Sequence, residues 1–502
     1  MIWPLRRAVQ VAPDRRAVAF EGESFTYAQM WERCRRLVGG LRALGVERGD
    51  RVAVVAQNSH RYLELYQAVP SAGLVLVPLN HRHSDRELGY ALEDSGARAL
   101  FTARDIGSPP ACVEHVVDAT EGHEALLAGP DPADGFPDDV GEDDLAGLFY
   151  TGGTTGASKG VMLRHRSLVS NALHLQAALP FEPDTCFLLV APMFHLAGTL
   201  AVLATVWHGG RQVVMPAFDA GGLLDLVERE RVTVTQVVPS MLAAMCDEQL
   251  ERPRDVSSLK FLTFGGAPSA TETLRRARRA FPDAELATMY GATETAPLVT
   301  TVRHVERLLD GPKARSCGRP LVGVEARIVD PDDRTPVPRG EVGEVAVRGP
   351  NVMIGYWNKP EQTDAVLVDG WYHTGDLGRL DGEGLLYLVD RAKDMIVSGG
   401  ENVYSTEVED VLYRHPAVLE AAVFGIPDER WGEVVHAVVV PRSAVTEAEL
   451  IAHCREAIAG YKVPKRIELR AEALPKSGAG KLLKRELRAP YWEGRESMVA
   501  GA

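Results

Sequence analysis

The sequence predicts an α/β protein with a large N-terminal domain of βαβ-type sheets and a smaller α+β domain at its C-terminal end. The main observation is an alternation of short, β-branched apolar runs with helical stretches. Arg51–Ala56 is typical of a buried strand, residues 62–72 of a helix, and residues 74–78 of the next strand. Strands that alternate with helices in this way indicate parallel sheets.

The pattern of predicted strands and helices changes at two points along the chain. Past about residue 324, strand-like runs are separated by turn residues, and Asp381–Gly384 is typical of a hairpin turn, so a small antiparallel β subdomain is predicted over 324–390. Beyond residue 394, helices and strands mix in a unit close to the common domain size. We therefore predict an N-terminal core over 1–390, a connection over 391–394 and a C-terminal domain over 395–502.

Composition excludes several classes of function. The 502 residues include 55 Lys and Arg against 69 Asp and Glu, a net charge of −14, which argues against nucleic acid as a partner. The six cysteines contain no Cys-x-x-Cys pair, so we expect a reducing cytoplasm rather than a zinc cage or a disulfide framework. The uncharged stretch over 185–210 is broken by Pro192, His195 and Gly198, and predicts a buried strand, a turn and a buried helix rather than a membrane span.

One basic run leaves a membrane question open. Leu274–Arg279 carries four arginines that could contact anionic lipid, although such a run is more commonly a solvated helix face. We therefore expect at most peripheral membrane contact. The oligomeric state is open, and a homo-oligomer is compatible with the sequence.

The most informative segment is a Gly/Thr-rich loop between two apolar runs, Tyr150–Gly160. Its glycines let backbone N–H groups approach a ligand, its hydroxyls add donors and Lys159 adds a cation, a combination suited to polyphosphate. The spacing is not that of a Walker A loop, because Lys159 lies between Ser158 and Gly160. The candidate phosphate-binding residues are Thr151, Gly152, Gly153, Thr154, Thr155, Gly156 and Lys159.

Further motifs follow this loop along the chain. They are Met289–Thr295, Trp371–Asp376, Asp390–Asp394, Ser398–Asn402 and Pro475–Lys481. Together with the loop, they resemble the adenylate-forming superfamily, which includes acyl- and aryl-CoA synthetases, peptide-synthetase adenylation domains and firefly luciferase. The resemblance spans about residues 24–486. Within the superfamily the chain is most similar to bacterial free-standing fatty acyl-CoA synthetases, on the segments Gly399–Tyr404 and Pro427–Gly432.

The resemblance implies an ATP-dependent carboxylic acid:CoA ligase. The carboxylate would attack the α-phosphorus of ATP and pyrophosphate would leave. The thiol of coenzyme A would then take the acyl group from the acyl-adenylate and release AMP. The implied cofactor is Mg²⁺, and the co-substrates are ATP and coenzyme A. In such a reaction the protein supplies mainly positioning and charge neutralisation.

The resemblance also assigns nucleotide-binding residues, and the Gly/Thr-rich loop would wrap the β- and γ-phosphates. Tyr290 would stack on adenine, and Asp376 would accept hydrogen bonds from the ribose with Arg391 close by. Thr293 and Glu294 would lie near the α-phosphate, with Glu294 as a Mg²⁺ ligand because a hard cation prefers carboxylate oxygen. The other residues implied around the nucleotide are Gly265, Gly266, Ala267 and Gly291.

The resemblance assigns adenylation and acyl transfer to two orientations of a mobile C-terminal domain. In the first, Lys481 would bridge the carboxylate and the α-phosphate as the adenylate forms. The domain would then rotate about a hinge at Lys393 and withdraw Lys481. In the second orientation, the small residues Ser398, Gly399 and Gly400 would let the pantetheine arm of coenzyme A pass close to the backbone.

The acid would bind beside His195, which matches a histidine that gates the carboxylate site in acyl- and aryl-CoA synthetases. Without that context, a histidine beside an apolar run is more often a satisfied core residue. Apart from Glu294, the expected lining holds no carboxylate to bind an α-amine and no Arg or Lys to pair with a second carboxylate. A largely apolar acid, fatty or related, is therefore predicted. The candidate pocket residues are His195, Val238, Pro239, Gly266, Ala292 and Pro297.

Two positions depart from the family pattern, and two other functions stay open. Gly153 stands where a serine is usual, and Val397 stands where luciferase and plant coumarate ligases carry a lysine. The first alternative is an acyl-AMP ligase that serves a carrier protein, although the insertion typical of such proteins is absent from 348–359. The second is a catalytically silent nucleotide-binding homologue, which the presence of the candidate catalytic residues argues against.

Overall fold

The chain folds around two large β-sheets of mixed strand direction, followed by two smaller sheets toward the C-terminus. We describe it from a computed structural model of the protein. The structure describes residues 1–129, 135–151, 158–199, 201–267, 271–304, 311–391, 394–398, 401–428, 430–477 and 482–493.

The strands are numbered along the chain. They are β1 (Arg16–Phe20), β2 (Glu23–Thr26), β3 (Arg51–Val55), β4 (Val75–Pro78), β5 (Ala97–Thr102), β6 (His115–Asp118), β7 (Leu145–Thr151), β8 (Lys159–Arg164), β9 (Cys186–Leu189), β10 (Arg211–Val214), β11 (Val234–Val237), β12 (Phe261–Gly265), β13 (Glu285–Tyr290), β14 (Thr300–His304), β15 (Arg319–Pro320), β16 (Glu325–Val329), β17 (Gly343–Arg348), β18 (Gly355–Tyr356), β19 (Leu367–Val368), β20 (Trp371–Leu380), β21 (Leu386–Arg391), β22 (Ile396–Ser398), β23 (Glu401–Val403), β24 (Val418–Asp428), β25 (Gly432–Pro441) and β26 (Arg466–Leu469).

The helices are numbered in the same way. They are α1 (Ile2–Val11), α2 (Tyr27–Ala43), α3 (His60–Ser71), α4 (Asp85–Ser95), α5 (Glu121–Leu127), α6 (His165–Ala178), α7 (Leu196–Thr199), α8 (Val202–Trp207), α9 (Ala220–Glu230), α10 (Pro239–Glu251), α11 (Thr271–Ala280), α12 (Pro360–Val366), α13 (Ser405–Tyr413), α14 (Glu447–Ala457) and α15 (Lys484–Trp492). Two short 3₁₀ turns cover Thr293–Thr295 and Pro312–Arg315.

The first large sheet has nine strands in the order β15-β14-β13-β12-β11-β9-β10-β1-β2. Its central strands, from β13 to β1, run parallel, and antiparallel strands close both edges. All four residues of β11 are buried, as expected for a parallel strand that is covered on both faces. This sheet therefore confirms the parallel βαβ architecture that the alternating pattern predicts.

The second large sheet has seven strands in the order β18-β8-β7-β4-β3-β5-β6. Strands β7 and β8 form an antiparallel pair in which Thr151 lies opposite Lys159. The Gly/Thr-rich segment therefore joins the paired ends of a hairpin, as the sequence predicts. Helix α3 packs against β4 and β7 of this sheet and against β1 of the first sheet, so it lies between the two.

The two smaller sheets follow one another along the chain. Strands β16, β17, β19, β20 and β21 form an antiparallel sheet, which agrees with the β subdomain predicted past residue 324. The last sheet joins β22 to β26 and packs on helices α13 and α14, with only β26 parallel to its neighbour. The α/β fold class is confirmed.

Local capping explains where the predicted elements shift. The helix predicted over 62–72 begins at His60, because the side chain of Ser59 accepts a hydrogen bond from the backbone N–H of Tyr62 and caps it. The stretch 185–210 forms strand β9 and then two short helices, where one helix was predicted. Among the described residues, no helix is both long enough and apolar enough to cross a membrane.

Candidate active site

The candidate site lies where strands of both large sheets end. Strands β9, β11, β12 and β13 of the first sheet, and β7 of the second, lead at their carboxyl ends into the segments that carry predicted residues, while β3 and β4 lead there into the segments of Asn58 and His81. In open α/β sheets the crevice outside the carboxyl ends of parallel strands is the usual place for a ligand. The motifs separated along the chain therefore meet at one edge of the fold.

Three predicted nucleotide-binding residues are joined by side-chain contacts. Tyr290, the last residue of β13, donates a hydrogen bond from its hydroxyl to Asp376 Oδ2 at 2.9 Å. Arg391 Nε lies 3.3 Å from Asp376 Oδ1, because Asp376 and Arg391 are opposite one another in the β20–β21 pair. Burial, together with the Asp376 carboxylate, raises the pKa of Tyr290, so its hydroxyl stays protonated as a donor.

A second set of contacts links the phosphate-loop hairpin to the predicted magnesium ligand. Lys159 Nζ lies 4.7 Å from the centre of the Tyr356 ring, a cation–π contact. The Tyr356 hydroxyl donates a hydrogen bond to Glu294 Oε1 at 2.9 Å. Burial and the Glu294 carboxylate raise the pKa of Tyr356. Sequence reasoning missed Tyr356, which occupies a short strand far along the chain from both partners.

Hydrogen bonds from Asn351 anchor the turn that carries Thr293 and Glu294. Asn351 Nδ2 donates to the backbone oxygens of Thr295 at 2.8 Å and of Leu298 at 2.9 Å. A Cβ at residue 291 would overlap the backbone oxygen of Pro297, so the close approach of these two segments requires Gly291. The turn therefore holds Glu294 on one side and Pro297 on the other in a fixed relation.

The glycines at the end of β12 lie beside Tyr290. Gly265 pairs with Met289 of β13, and a Cβ at residue 265 would overlap the Met289 backbone oxygen. Gly266 has a φ of +82°, which favours glycine, and Ala267 follows it. These residues thus end the strand next to the one that ends at Tyr290, and their place around the adenine stays a prediction.

The segment of His195 is fixed by Asn58, which follows β3. Asn58 Oδ1 accepts a hydrogen bond from the Met193 N–H at 2.8 Å, and Asn58 Nδ2 donates to the Ala191 oxygen at 3.0 Å. A Cβ at residue 198 would overlap the Pro192 oxygen, so Gly198 is needed for the turn around His195 to close. His195 itself is half-buried, and its ring lies 4.6 Å from that of Phe194.

A cavity of about 430 Å³ lies beside the segment that leads into Phe194 and His195, and Val190 and Pro192 line it. The Phe194 ring contacts His81 as well as His195, with 5.4 Å between the His81 and Phe194 ring centres. Burial lowers the pKa of His81, so its imidazole is neutral near neutral pH. The residues that line the cavity come from both large sheets and from the C-terminal part of the chain: Asn58, His81, Arg82, Val190, Pro192, Pro216, Ala217, Phe218, Ser240, Met241, Lys476 and Ser477.

A much smaller cavity, of about 10 Å³, lies behind the helical turn that follows His195. Leu196 and Thr199 of α7 form one wall, and Ala296 and Pro297 form another. Tyr66 of α3 also lines it, and its hydroxyl lies 2.9 Å from Thr199 Oγ1. Of the six predicted pocket residues, Pro297 therefore contributes to this cavity, while Val238 and Pro239 begin helix α10, whose next residues line the larger one.

Described residues of the C-terminal part pair with one another on either side of the segment that contains the predicted catalytic Lys481. Lys476 and Leu482 form a β-bridge on either side of it. Lys484 Nζ lies 2.7 Å from Glu409 Oε1 and 2.7 Å from Ser405 Oγ. Burial raises the pKa of Glu409, although Lys484 opposes it. Ser398 is buried at the end of β22.

Several predicted site residues lie outside the described residues. They are Gly152, Gly153, Thr154, Thr155 and Gly156 of the phosphate loop, Lys393 at the predicted hinge, Gly399 and Gly400 of the predicted coenzyme A segment, and the predicted catalytic Lys481.

The donor set fits a magnesium ion that is held largely by phosphate. Within the described part of the chain, no group of three or more His, Cys, Asp or Glu could hold a metal ion by itself. Glu294 supplies one carboxylate, half-buried, at the turn beside the phosphate-loop hairpin. Mg²⁺ commonly takes one or two protein carboxylates together with substrate phosphates, so a single carboxylate is sufficient here.

Comparisons with known proteins agree with this arrangement. The model of the AMP-binding enzyme family matches residues 5–357, and that of the AMP-binding enzyme C-terminal domain matches residues 407–481. The feruloyl-CoA synthase of an Amycolatopsis sp is 44% identical over 97% of this chain and 98% of its own length. The fatty acid–[acyl-carrier-protein] ligase ScoC of Streptomyces coeruleorubidus is 37% identical over 96% of this chain and 95% of its own length.

A solved structure extends the comparison to three dimensions. The o-succinylbenzoate CoA synthetase MenE of Bacillus subtilis, in complex with the acyl-adenylate intermediate OSB-AMP, superimposes with a TM-score of 0.87 at 32% identity and covers 100% of this chain and 99% of its own. The same enzyme has been solved with ATP and magnesium ion.

The fold and the site together define an AMP-forming ligase. The chain belongs to the AMP-binding enzyme family. It is an ATP-dependent acid:CoA ligase that works through an acyl-adenylate, with Mg²⁺ and with coenzyme A as co-substrate.

Proposed function

We propose that the acid is largely apolar, an aryl or alkyl carboxylic acid, and that it is activated at the turn between Tyr290 and Leu298. The observation that supports this is that the two ends of the turn have different surroundings. Glu294 faces the polar contacts of Tyr356 and Lys159, whereas Pro297 lines a cavity with Leu196 and Tyr66. A carboxylate held at this boundary has phosphate-binding groups on one side and an apolar space on the other.

On the nucleotide side, each predicted residue receives a specific task. Asp376 accepts hydrogen bonds from the ribose hydroxyls, and it can do so while bonded to Tyr290, because a carboxylate offers about four lone-pair sites. Arg391 pairs with Asp376 and fixes the position of its carboxylate. The Tyr290 ring and the backbone of Gly265, Gly266, Ala267 and Gly291 flank the adenine. The Gly/Thr-rich loop from Thr151 to Lys159 holds the β- and γ-phosphates.

At the α-phosphate, Thr293 supplies a hydroxyl donor and Glu294 a carboxylate ligand for Mg²⁺. The ion, when bound, adds positive charge where the negative charge of the departing pyrophosphate develops. Tyr356 orients the Glu294 carboxylate through the hydrogen bond at 2.9 Å. Lys481 neutralises the attacking carboxylate and the α-phosphate during adenylation.

On the acid side, His195 lies at the entrance, and Val238, Pro239, Gly266, Ala292 and Pro297 surround the acyl group. The described lining of the small cavity has no charged side chain. That composition favours an apolar acyl group over a dicarboxylic or amino acid. The feruloyl-CoA synthase relative also favours an aryl acid.

For the second half-reaction, the C-terminal domain over 395–502 rotates about the connection over 391–394, with Lys393 as the hinge. The pantetheine arm of coenzyme A then passes close to the backbone of Ser398, Gly399 and Gly400. The cavity of about 430 Å³ offers a route for the thiol, because the Phe194 ring contacts both its His81 wall and His195. Arg82 at this cavity supplies a positive charge for the phosphates of coenzyme A.

The cellular setting is part of the proposal. A reducing cytoplasm is supported by the six cysteines, all of which are free thiols. The arginines of α11 favour a solvated helix face over membrane contact, because Arg276 pairs with Asp247, and Arg275 and Arg279 pair with Glu272.

The function is tested by mass spectrometry of reactions with ATP, Mg²⁺ and a graded panel of alkanoic and aryl acids, with and without coenzyme A. We expect acyl-AMP without coenzyme A and its conversion to acyl-CoA when coenzyme A is added. An acyl-AMP that persists in the presence of coenzyme A, and disappears on addition of a phosphopantetheinylated carrier protein, would contradict the proposed acceptor. ATP binding without any adenylate would instead indicate the catalytically silent homologue.

A further inference from the structure

The small cavity behind His195 contains a hydroxyl pair that the reaction chemistry does not use. Tyr66 lies on α3, between the two large sheets, and is 2% exposed. Its hydroxyl lies 2.9 Å from Thr199 Oγ1, and both residues line the cavity. Leu196 and Pro297, which flank the candidate acid site, line the same cavity. The pair therefore lies beside the two segments that flank the candidate acid site.

The direction of the hydrogen bonds follows from counting protons. Thr199 Oγ1 donates its single proton to the backbone oxygen of Leu196 at 3.2 Å. The proton in the Tyr66–Thr199 contact must then come from Tyr66. Once the Tyr66 proton is committed to Thr199, the Tyr66 oxygen is left with acceptor capacity toward the cavity. Burial raises the pKa of Tyr66, so the hydroxyl is neutral at physiological pH.

Asn171 also lines the cavity, and its Oδ1 accepts a hydrogen bond from the Leu298 N–H, while the other walls are mostly apolar. An acceptor in such a cavity selects by chemistry. A ligand that carries a hydroxyl there donates to it, whereas a methyl group cannot, and a second carboxylate brings lone pairs and a charge but no proton. The cavity of about 10 Å³ is close to the space of one water molecule. It accommodates a hydroxyl group at the tip of a planar acid, and a long alkyl chain does not fit without displacing the wall.

We propose that Tyr66 is a specificity-determining residue whose hydroxyl oxygen accepts a hydrogen bond from a phenolic hydroxyl at the far end of the acid. The proposal deepens the function proposed above, on which it rests, and names hydroxylated aryl acids as the preferred class. Thr199 is a positioning residue, because it takes the Tyr66 proton and so turns the oxygen lone pairs toward the cavity.

The test compares 4-hydroxycinnamate with cinnamate, which lacks only the hydroxyl, in the wild type and in Tyr66→Phe. We expect the wild type to prefer 4-hydroxycinnamate in kcat/KM by about tenfold or more, the effect of one buried hydrogen bond. Tyr66→Phe should reduce this preference by about tenfold, through a KM that rises more for 4-hydroxycinnamate than for cinnamate.

The helix that carries Tyr66 also offers a matched control. Tyr62 lies one turn earlier on α3 and is equally buried, and its hydroxyl has no hydrogen-bond partner among the described residues. Tyr62→Phe removes the same atom from the same helix and should leave the preference unchanged. Thr199→Val should lower the preference in the same direction as Tyr66→Phe. The thermal midpoints of all three variants establish that they are folded.

Two results would overturn the inference. In the first, Tyr66→Phe and Tyr62→Phe have the same preference as the wild type. In the second, the wild type adenylates alkanoic acids but neither cinnamate, which refutes the phenolic preference and leaves the ligase function standing. Failure of the wild type to adenylate any acid would be recognised separately, because it removes the function as well as the preference.

Discussion

The nucleotide side and the acid side of the site are built in different ways. On the nucleotide side, polar side chains from distant strands are bonded to one another, as in Tyr290–Asp376 and Tyr356–Glu294. On the proposed acid side, mostly apolar walls enclose a small cavity whose polar groups are Asn171 and the buried hydroxyl pair Tyr66–Thr199. The turn from Gly291 to Pro297 joins the two sides.

This difference indicates which residues determine the rate of catalysis and which determine the choice of acid. Polar groups that are held by one another before the substrate binds do not have to reorganise as charge develops, which favours catalysis with any acid that reaches the site. The acid side is proposed to supply shape and an acceptor, and so to determine which acid is used. Substitutions on the first side should therefore lower all rates together, and those on the second should change the ranking of acids.

The largest effect is expected at Glu294. Glu294→Gln removes the carboxylate proposed to bind Mg²⁺ and should lower the rate of adenylation by about 10³-fold for every acid. Tyr356→Phe removes the hydrogen bond to Glu294 but keeps the ring and the Glu294 carboxylate, and should lower the rate about tenfold. Pyrophosphate release at saturating ATP over a range of Mg²⁺ concentrations measures both. A Glu294→Gln enzyme within tenfold of the wild type would contradict the assignment.

Asp376→Asn should lower kcat/KM for ATP by about 10²-fold, because a neutral amide replaces the charged acceptor of the ribose hydroxyls. The loss should be nearly absent when 2′,3′-dideoxy-ATP replaces ATP, since that nucleotide has no hydroxyl for Asp376 to accept from. Steady-state kinetics with both nucleotides measures this. An equal loss with both would show that Asp376 acts only through its contacts with Tyr290 and Arg391.

Gly198→Ala tests the acid side. The added Cβ would overlap the Pro192 oxygen and should displace the His195 turn, raising KM for the acid by about tenfold while KM for ATP changes less than twofold. Gly382→Ala is the control, because a Cβ there meets nothing within 4 Å. If KM for ATP rose as much as KM for the acid, the two sides would not be separable.

The smallest effect on catalysis is expected at Glu64, on the same helix as Tyr66. Its buried carboxylate lies 2.6 Å from Arg33 Nε and 2.8 Å from His123 Nε2. Burial alone would raise the pKa of Glu64, but His123 and Arg33 outweigh it, and the pKa is lowered below the usual carboxyl range. Glu64→Gln should thus destabilise the protein by about 3 kcal/mol at neutral pH.

The sign of the pH dependence follows from that lowered pKa. A depressed carboxyl pKa stabilises the folded state above the pKa of the unfolded chain and loses this contribution as the pH falls through the lower, folded value. The difference in thermal midpoint between Glu64→Gln and the wild type should therefore shrink as the pH falls below about 4.5, near the ordinary value for a glutamate. A difference that is constant with pH would refute the ionised pair.

The extent to which each side was predictable from sequence differs as well. Tyr290, Asp376, Arg391 and Glu294 stand in short motifs with a recognisable order, and the structure brings the first three into contact. The residue roles and the domain boundaries stay predictions. Element positions followed from β-branched runs and helical spacing, and the shifts at helix ends trace to caps such as Ser59.

Contacts between segments far apart in the chain could not be read from the sequence. Tyr356 meets Lys159 and Glu294, and Tyr66 meets Thr199 across 133 positions. No local pattern distinguishes Tyr66 from Tyr62, although only the first lines the cavity. A Gly-Tyr-Trp run at residues 355–357 was the one available signal for Tyr356.

The most direct test of the central claim is to follow the carboxylate oxygen. An acid labelled with ¹⁸O in its carboxylate is turned over with ATP, Mg²⁺ and coenzyme A, and the AMP and pyrophosphate are examined by mass spectrometry. Attack of the carboxylate on the α-phosphorus predicts one ¹⁸O atom in AMP and none in pyrophosphate. Label in inorganic phosphate, or AMP without label, would show that activation takes another route and would contradict the account.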